Sequence, residues 1–269
     1  MNRRIALASL CLALATLPAA AETRTVCTLV VDTATGERLR QEGACDTAMS
    51  PASTFKIPIA LMGFDSGILT SPHDPVWPFR EGYVDWRAQW KQPTDPQYWM
   101  KESVVWYSQQ ITERLGLSRY RAYVDAFDYG NRDISGDPGK DNGLTNAWLS
   151  SSLQITPEQQ AAFLARLVRG DLPVSAAAIE NTAAITDYGM QPGGWHVHGK
   201  TGAGLPRGAD GTLIRGQPFG WFVGWAARDG RTVTFARLIR DSERQSVPPG
   251  FRARDAVLDD LFGADGSLN

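Results

Sequence analysis

The stretch Ser53-Thr54-Phe55-Lys56 places a hydroxyl and an amine three residues apart. On a helix, positions i and i+3 share a face, so Oγ and Nζ can meet. A hydroxyl beside an amine can serve as a nucleophile and its base. The amine works as a base only when uncharged, and an ordinary lysine, with a pKa of about 10.4, is a cation at neutral pH. Burial disfavours the ammonium and lowers that pKa. Phe55, Ile57, Ile59 and Leu61 surround Lys56 in sequence and suit such burial. The start of a helix adds free backbone N–H groups and the positive end of a dipole, both suited to an oxyanion forming beside the serine. Taken alone, Ser53 reads first as a helix cap, and Lys56 as a solvated side chain at a helix start.

A second cluster, Lys200-Thr201-Gly202, ends an alternating, strand-like run that begins at Trp195. It offers a cation and a hydroxyl for a substrate carboxylate, with Gly202 letting a ligand approach the backbone. Alone, it is a strand end entering a Gly-rich turn. S-x-x-K followed by K-T-G is more specific, because the pair marks penicillin-recognising serine enzymes. His196 and His198, two residues apart, face one side of the same strand. His73 is the only other histidine and no carboxylate cluster adjoins them in sequence. Zinc sites want three or four ligands, so these two read as strand residues near a cleft, with no metal expected.

The elements that must position these residues follow from periodicity and punctuation. Residues 25–31 and 37–40 read as strands joined by a turn at Asp32-Thr33-Ala34-Thr35-Gly36. A helix runs from Ser53 to about Gly67, with Pro58 tolerated near its first turn. Residues 71–99 form a loop rich in Pro and Trp. Residues 100–125 read as helical, with Val104, Ile111 and Leu115 at helical spacing and Gly116 as a stop signal. Thr156 caps a helix that starts with Pro157, carries Gln159 as capping-box partner and ends at Gly170. Two strands flank the turn Asp229-Gly230, and residues 251–262 form a terminal helix. Strands, helices, strands and a last helix give an α/β (α+β type) chain. Its strand-rich ends form a central, mainly antiparallel sheet, and an all-helical lobe is inserted between them. The expected division is 22–70 with 180–269 as the sheet unit and 71–179 as the helical lobe. The long segment 129–148, full of Gly, Asp and Asn, reads as a functional loop.

Composition narrows the function. Arg3 and Arg4, an apolar run from Ile5 to Leu17 and the small residues Ala19, Ala20 and Ala21 form a signal peptide over 1–21, cut after Ala21. Its apolar run is shorter than the roughly 20 residues of a membrane span. The formal charge is −2 and no basic run occurs, so nucleic acid and anionic membranes are poor partners. After cleavage two cysteines remain, Cys27 and Cys45. Export permits a disulfide between them, and two free buried thiols remain the alternative.

The chain resembles the class D (oxacillinase-type) serine β-lactamases. The resemblance rests on "STFK" at 53–56, "SVV" at 103–105, "YGN" at 129–131, "AWL" at 147–149 and "KTGAG" at 200–204, and it extends over nearly all of residues 22–269. It implies the penicillin-recognising serine enzyme fold and hydrolysis of β-lactam antibiotics, hence resistance. It implies Ser53 as nucleophile and an N-carboxylated Lys56 as general base for both acylation and deacylation. It implies Trp148 as donor to that carbamate and Val105 beside it. Ser103 would relay a proton to the leaving nitrogen. Backbone N–H groups of Ser53 and Ala203 would hold the oxyanion. Lys200, Thr201 and Gly202 would hold the substrate carboxylate, with Arg252 as a further anchor. Tyr129 and Asn131 would brace the cleft or the long loop. No dissociable cofactor is expected beyond the CO2-derived carbamate. A monomer in the periplasm is implied. Two other readings share the motifs: a penicillin-binding sensor that stalls as acyl-enzyme, which would need membrane spans, and a DD-peptidase, which would favour S-x-N where Val105 stands.

Overall fold

The structure, a computed structural model, describes residues 22–208 and 210–269. The expected leader at 1–21 lies outside them. Six strands form one antiparallel sheet in the order β2-β1-β6-β5-β4-β3. These are β1 (Thr23–Asp32), β2 (Arg38–Gly43), β3 (Asp187–Met190), β4 (His196–Gly204), β5 (Phe219–Arg228) and β6 (Arg231–Asp241). The first strand pairs with the last, as the expected single sheet requires. The β5–β6 turn has positive φ at both Asp229 and Gly230, the geometry that Asp-Gly favours. β3 was not legible in the sequence, and it brings Asp187 against His198 of β4. The expectation that no carboxylate adjoins the two histidines therefore does not hold.

Alternation along β5 builds two apolar layers, because successive side chains point to opposite faces. Trp221, Val223 and Trp225 join the larger core, with Phe55, Ile59 and Leu164. Phe222 and Ala226 face the opposite side with Val257, Leu261 and Phe262 of the C-terminal helix. Between β2 and β3 lie α1 (Lys56–Asp65), α2 (Pro96–Glu102), α3 (Val105–Ala126), α4 (Gly143–Asn146), α5 (Pro157–Arg169) and α6 (Ala176–Ile185); α7 (Pro249–Phe262) closes the chain. α5 keeps its expected caps: Thr156 Oγ1 accepts from Gln159 N, Gln159 Oε1 accepts from Thr156 N, and Gly170 has φ 74°. No described helix is long and apolar enough to cross a membrane.

The expected helix over 100–125 is broken. Ser103 ends α2 in the left-handed region, at φ 60° and ψ 37°, and the extended Val104 follows. α3 then bends at Gly116. The Trp-rich segment before it is ordered by indole donors. Trp90 Nε1 donates to the carbonyl of Glu102, Trp106 Nε1 to the carbonyl of Trp90, and Trp99 Nε1 to Ser108 Oγ. Cys27 and Cys45 form a disulfide, which settles the pairing left open by the sequence.

Candidate active site

A short 3-10 helix, Ala52–Phe55, carries Ser53 into α1, so the expected helix starts with a tight turn. Ala52, the residue before Ser53, has φ 49°, a conformation that costs a non-glycine residue about 1–3 kcal/mol and collects at functional sites. The Ser53 hydroxyl caps nothing. Lys56 Nζ donates to Ser53 Oγ at 3.3 Å. Lys56 has no exposed surface. Burial, then the positive charges of Lys200 and Arg87, hold its pKa well below the ordinary lysine range. Phe55, Ile57, Ile59 and Leu61 around it are all buried, and each contributes about 1.5–3 kcal/mol. That apolar burial offsets one desolvated amine.

A buried polar chain holds this turn in place. Thr54 Oγ1 donates to the carbonyl of Pro51 at 2.7 Å and accepts from Gln160 Nε2 at 2.9 Å. Tyr129 Oη donates to Gln160 Oε1 at 3.2 Å. Tyr129 therefore braces the turn that carries Ser53 through α5, and Gln160, which the sequence did not single out, is the link. Asn131 anchors the long loop: its Nδ2 donates to the carbonyl of Ser152, and its Oδ1 accepts from the N–H groups of Asp133 and Gln154.

Strand β4 runs beside the same turn. A Cβ on Gly202 would sit 2.9 Å from the carbonyl oxygen of Pro51 and 3.0 Å from Thr54 Cγ2. The glycine is thus needed for the Ser53 turn to approach, where the sequence reading had a ligand approach. Lys200 Nζ donates to the carbonyl and hydroxyl of Thr201. Burial, reinforced by Arg87 and Arg254, lowers its pKa to about 7.

A cleft of about 380 Å³ opens above these residues, lined by Ser53, Ser103, Val105, Thr201, Gly202 and Ala203. Its volume lies in the range of small-molecule sites. Lys56, Trp148 and Lys200 lie buried rather than on the wall. Trp148 Nε1 has no hydrogen-bond partner among the described residues. An unmet donor of that kind costs about 1–3 kcal/mol. Ser50 Oγ donates to the Trp148 carbonyl at 2.8 Å, which fixes the backbone there.

Arg252 does not reach the cleft. Its guanidinium pairs with the fully buried Asp241 and donates to Thr23 Oγ1 and the carbonyl of Val247. Arg254, two residues further on in α7, lines the cleft instead. Arg87, Trp86 and Phe251 also line it and were missed in the sequence.

Comparison with known proteins places this geometry. Residues 26–262 match the family described as penicillin binding protein transpeptidase domain. The chain is 47% identical over 236 residues to β-lactamase OXA-9 of Klebsiella pneumoniae, covering 87% of this chain and 86% of that protein. It is 36% identical over 235 residues to β-lactamase OXA-1 of Escherichia coli, covering 86% and 82%. The crystal structure of OXA-427 class D β-lactamase superposes with a TM-score of 0.82 at 49% identity, covering 86% of this chain and 94% of that one. The chain belongs to the class D serine β-lactamase family.

Proposed function

We propose that this chain hydrolyses β-lactam antibiotics through an acyl-enzyme on Ser53, acts as a monomer after export to the periplasm, and confers β-lactam resistance. The observation that carries the reading is the 3.3 Å contact between Ser53 Oγ and a fully buried Lys56 Nζ beneath a cleft of ligand size. The relatives named above are β-lactamases, which supports the substrate class. The cleft would lie between the sheet unit (22–70 and 180–269) and the helical lobe (71–179).

In the first half-reaction Ser53 Oγ attacks the lactam carbonyl carbon and its proton passes to the Lys56 side chain. The carbonyl electron pair moves onto oxygen, held by the N–H groups of Ser53 and Ala203. As the C–N bond breaks, Ser103 passes a proton to the ring nitrogen, leaving an ester on Ser53. Water then cleaves that ester, releasing a carboxylic acid and restoring the serine hydroxyl. Lys200, Thr201 and Gly202 flank the space for the substrate carboxylate, with Arg254 in the role first given to Arg252.

We infer that Lys56 is N-carboxylated by CO2 in the active enzyme. Its buried, uncharged amine is the form that adds CO2, and the unmet indole N–H of Trp148 fits an added anionic acceptor. Bound there, the carbamate would supply a general base for both half-reactions. Val105, buried at 2% exposure yet on the cleft wall, would control access of water and CO2.

Purified protein should hydrolyse a chromogenic cephalosporin, and Ser53→Ala should remove that activity. A stable acyl adduct on Ser53 without turnover would overturn the hydrolase reading in favour of a sensor. With 13C-labelled bicarbonate, a carbamate resonance should appear and vanish in Lys56→Ala. Its absence from active enzyme would remove the carbamate.

A further inference from the structure

We propose that Asp187, His196 and His198 form a binding site for a late first-row divalent cation, zinc first among them, at the β3 edge of the sheet. No part of the hydrolytic reading uses these residues, and the site stands without it. Alternation along β4 puts the two imidazoles on one face, with ring centroids 4.9 Å apart and planes 7° from parallel. β3 lies next to β4, and Asp187 is in register with His198. Asp187 Oδ1 lies 2.7 Å from His196 Nε2. One ligand atom from each of the three residues falls within 4.8 Å of the other two. Around tetrahedral zinc, with bonds of about 2.0–2.2 Å, ligand atoms stand roughly 3.3–3.6 Å apart. Small side-chain rotations would therefore close the set around an ion.

Two further contacts favour coordination over a simple ion pair. His198 Nδ1 lies 3.0 Å from the carbonyl of Ala183. A carbonyl only accepts, so Nδ1 carries the proton and Nε2 keeps its lone pair. Metal-binding histidines are held by this kind of outer hydrogen bond. Trp225, opposite His198 on β5, stacks on the ring at 5.1 Å and 10°, which fixes its plane. The His196 and Asp187 side chains are 42% and 41% exposed, so an ion can enter and water can complete its coordination. Two imidazoles and one carboxylate select Zn²⁺, Ni²⁺ or Cu²⁺ over Mg²⁺ or Ca²⁺, which want oxygen ligands. Such an ion would fasten the short edge strand β3 to β4, the strand that carries Lys200.

The test is calorimetric titration of chelator-treated protein with ZnCl2. One saturable site in the micromolar range is expected, with no binding of Mg²⁺ at the same concentrations. His196→Ala and Asp187→Asn should each weaken it about 10–100-fold. Both residues are partly exposed, so the variants should keep their fold and their basal hydrolysis of the chromogenic cephalosporin. His73→Ala, which removes the separate His73–Asp95 pair, should leave zinc binding intact. At about 100 times Kd, zinc should raise the melting midpoint by about 5–10 °C, and His196→Ala should lose that rise. No saturable binding, or binding unchanged in His196→Ala, would overturn the proposal.

Discussion

Gln160 of α5 donates to the hydroxyl of Thr54, and by that bond a helix 106 residues downstream holds the turn that carries Ser53. Gln160→Ala would leave Tyr129 Oη without its acceptor in a fully buried place. Stability should fall by about 1–3 kcal/mol, read from urea midpoints. Turnover number should fall more than KM rises, because the change displaces Ser53, the proposed nucleophile, and not the substrate contacts.

Gly202→Ala tests the close approach of β4 to the same turn. The added methyl meets the carbonyl of Pro51 and the Thr54 side chain, and such overpacking costs about 1–3 kcal/mol. Hydrolysis of the chromogenic cephalosporin should drop by about 10-fold or more, since shifts near 1 Å at a nucleophile are expensive.

Arg252 and Arg254 should separate cleanly. Arg254→Ala should raise KM for substrates that bear a carboxylate by about 10-fold, with turnover number little changed. Arg252→Ala should leave KM alone and instead lower stability, because it strands the buried Asp241 carboxylate.

Lys200 predicts a rise of stability with pH. Its folded pKa is depressed to about 7 by burial and by Arg87 and Arg254, while an unfolded lysine titrates near about 10.4. Between those values the unfolded chain binds more protons, so stability rises with pH across this window, by at most about 1.4 kcal/mol per unit. Lys200→Met should flatten that part of the slope. Urea midpoints at pH 7 and 9 for both proteins provide the check.

The Cys27–Cys45 bond closes a separation of 18 residues. Chain-entropy arguments give about 3 kcal/mol for a loop of that size. The double replacement by Ser should lower the urea midpoint accordingly and leave KM unchanged.

Local signals in the sequence carried much of this structure. The three-residue spacing of Ser53 and Lys56, the caps at Thr156 and Gly170, and the Asp229-Gly230 turn are set by near neighbours, and all three are present. Features that depend on distant partners were not legible. Ser103 takes a left-handed conformation because the tryptophans around it seat the end of α2, and no single residue announces that. Arg252 and Arg254 are two positions apart on a helix turn, enough to send one to Asp241 and the other to the cleft. Asp187 meets His196 only through β3, a strand of four residues too short to show alternation.

The centre of the sheet has a consequence for how the molecule comes into being. β6 lies between β1 and β5, so the N-terminal strand pairs with one made about two hundred residues later. Until β6 has been made, β1 lacks this neighbour and the apolar layers on both faces stay open. Contacts so remote in sequence form slowly. Closure of the sheet therefore waits for β6, and until then neither apolar layer has its full cover.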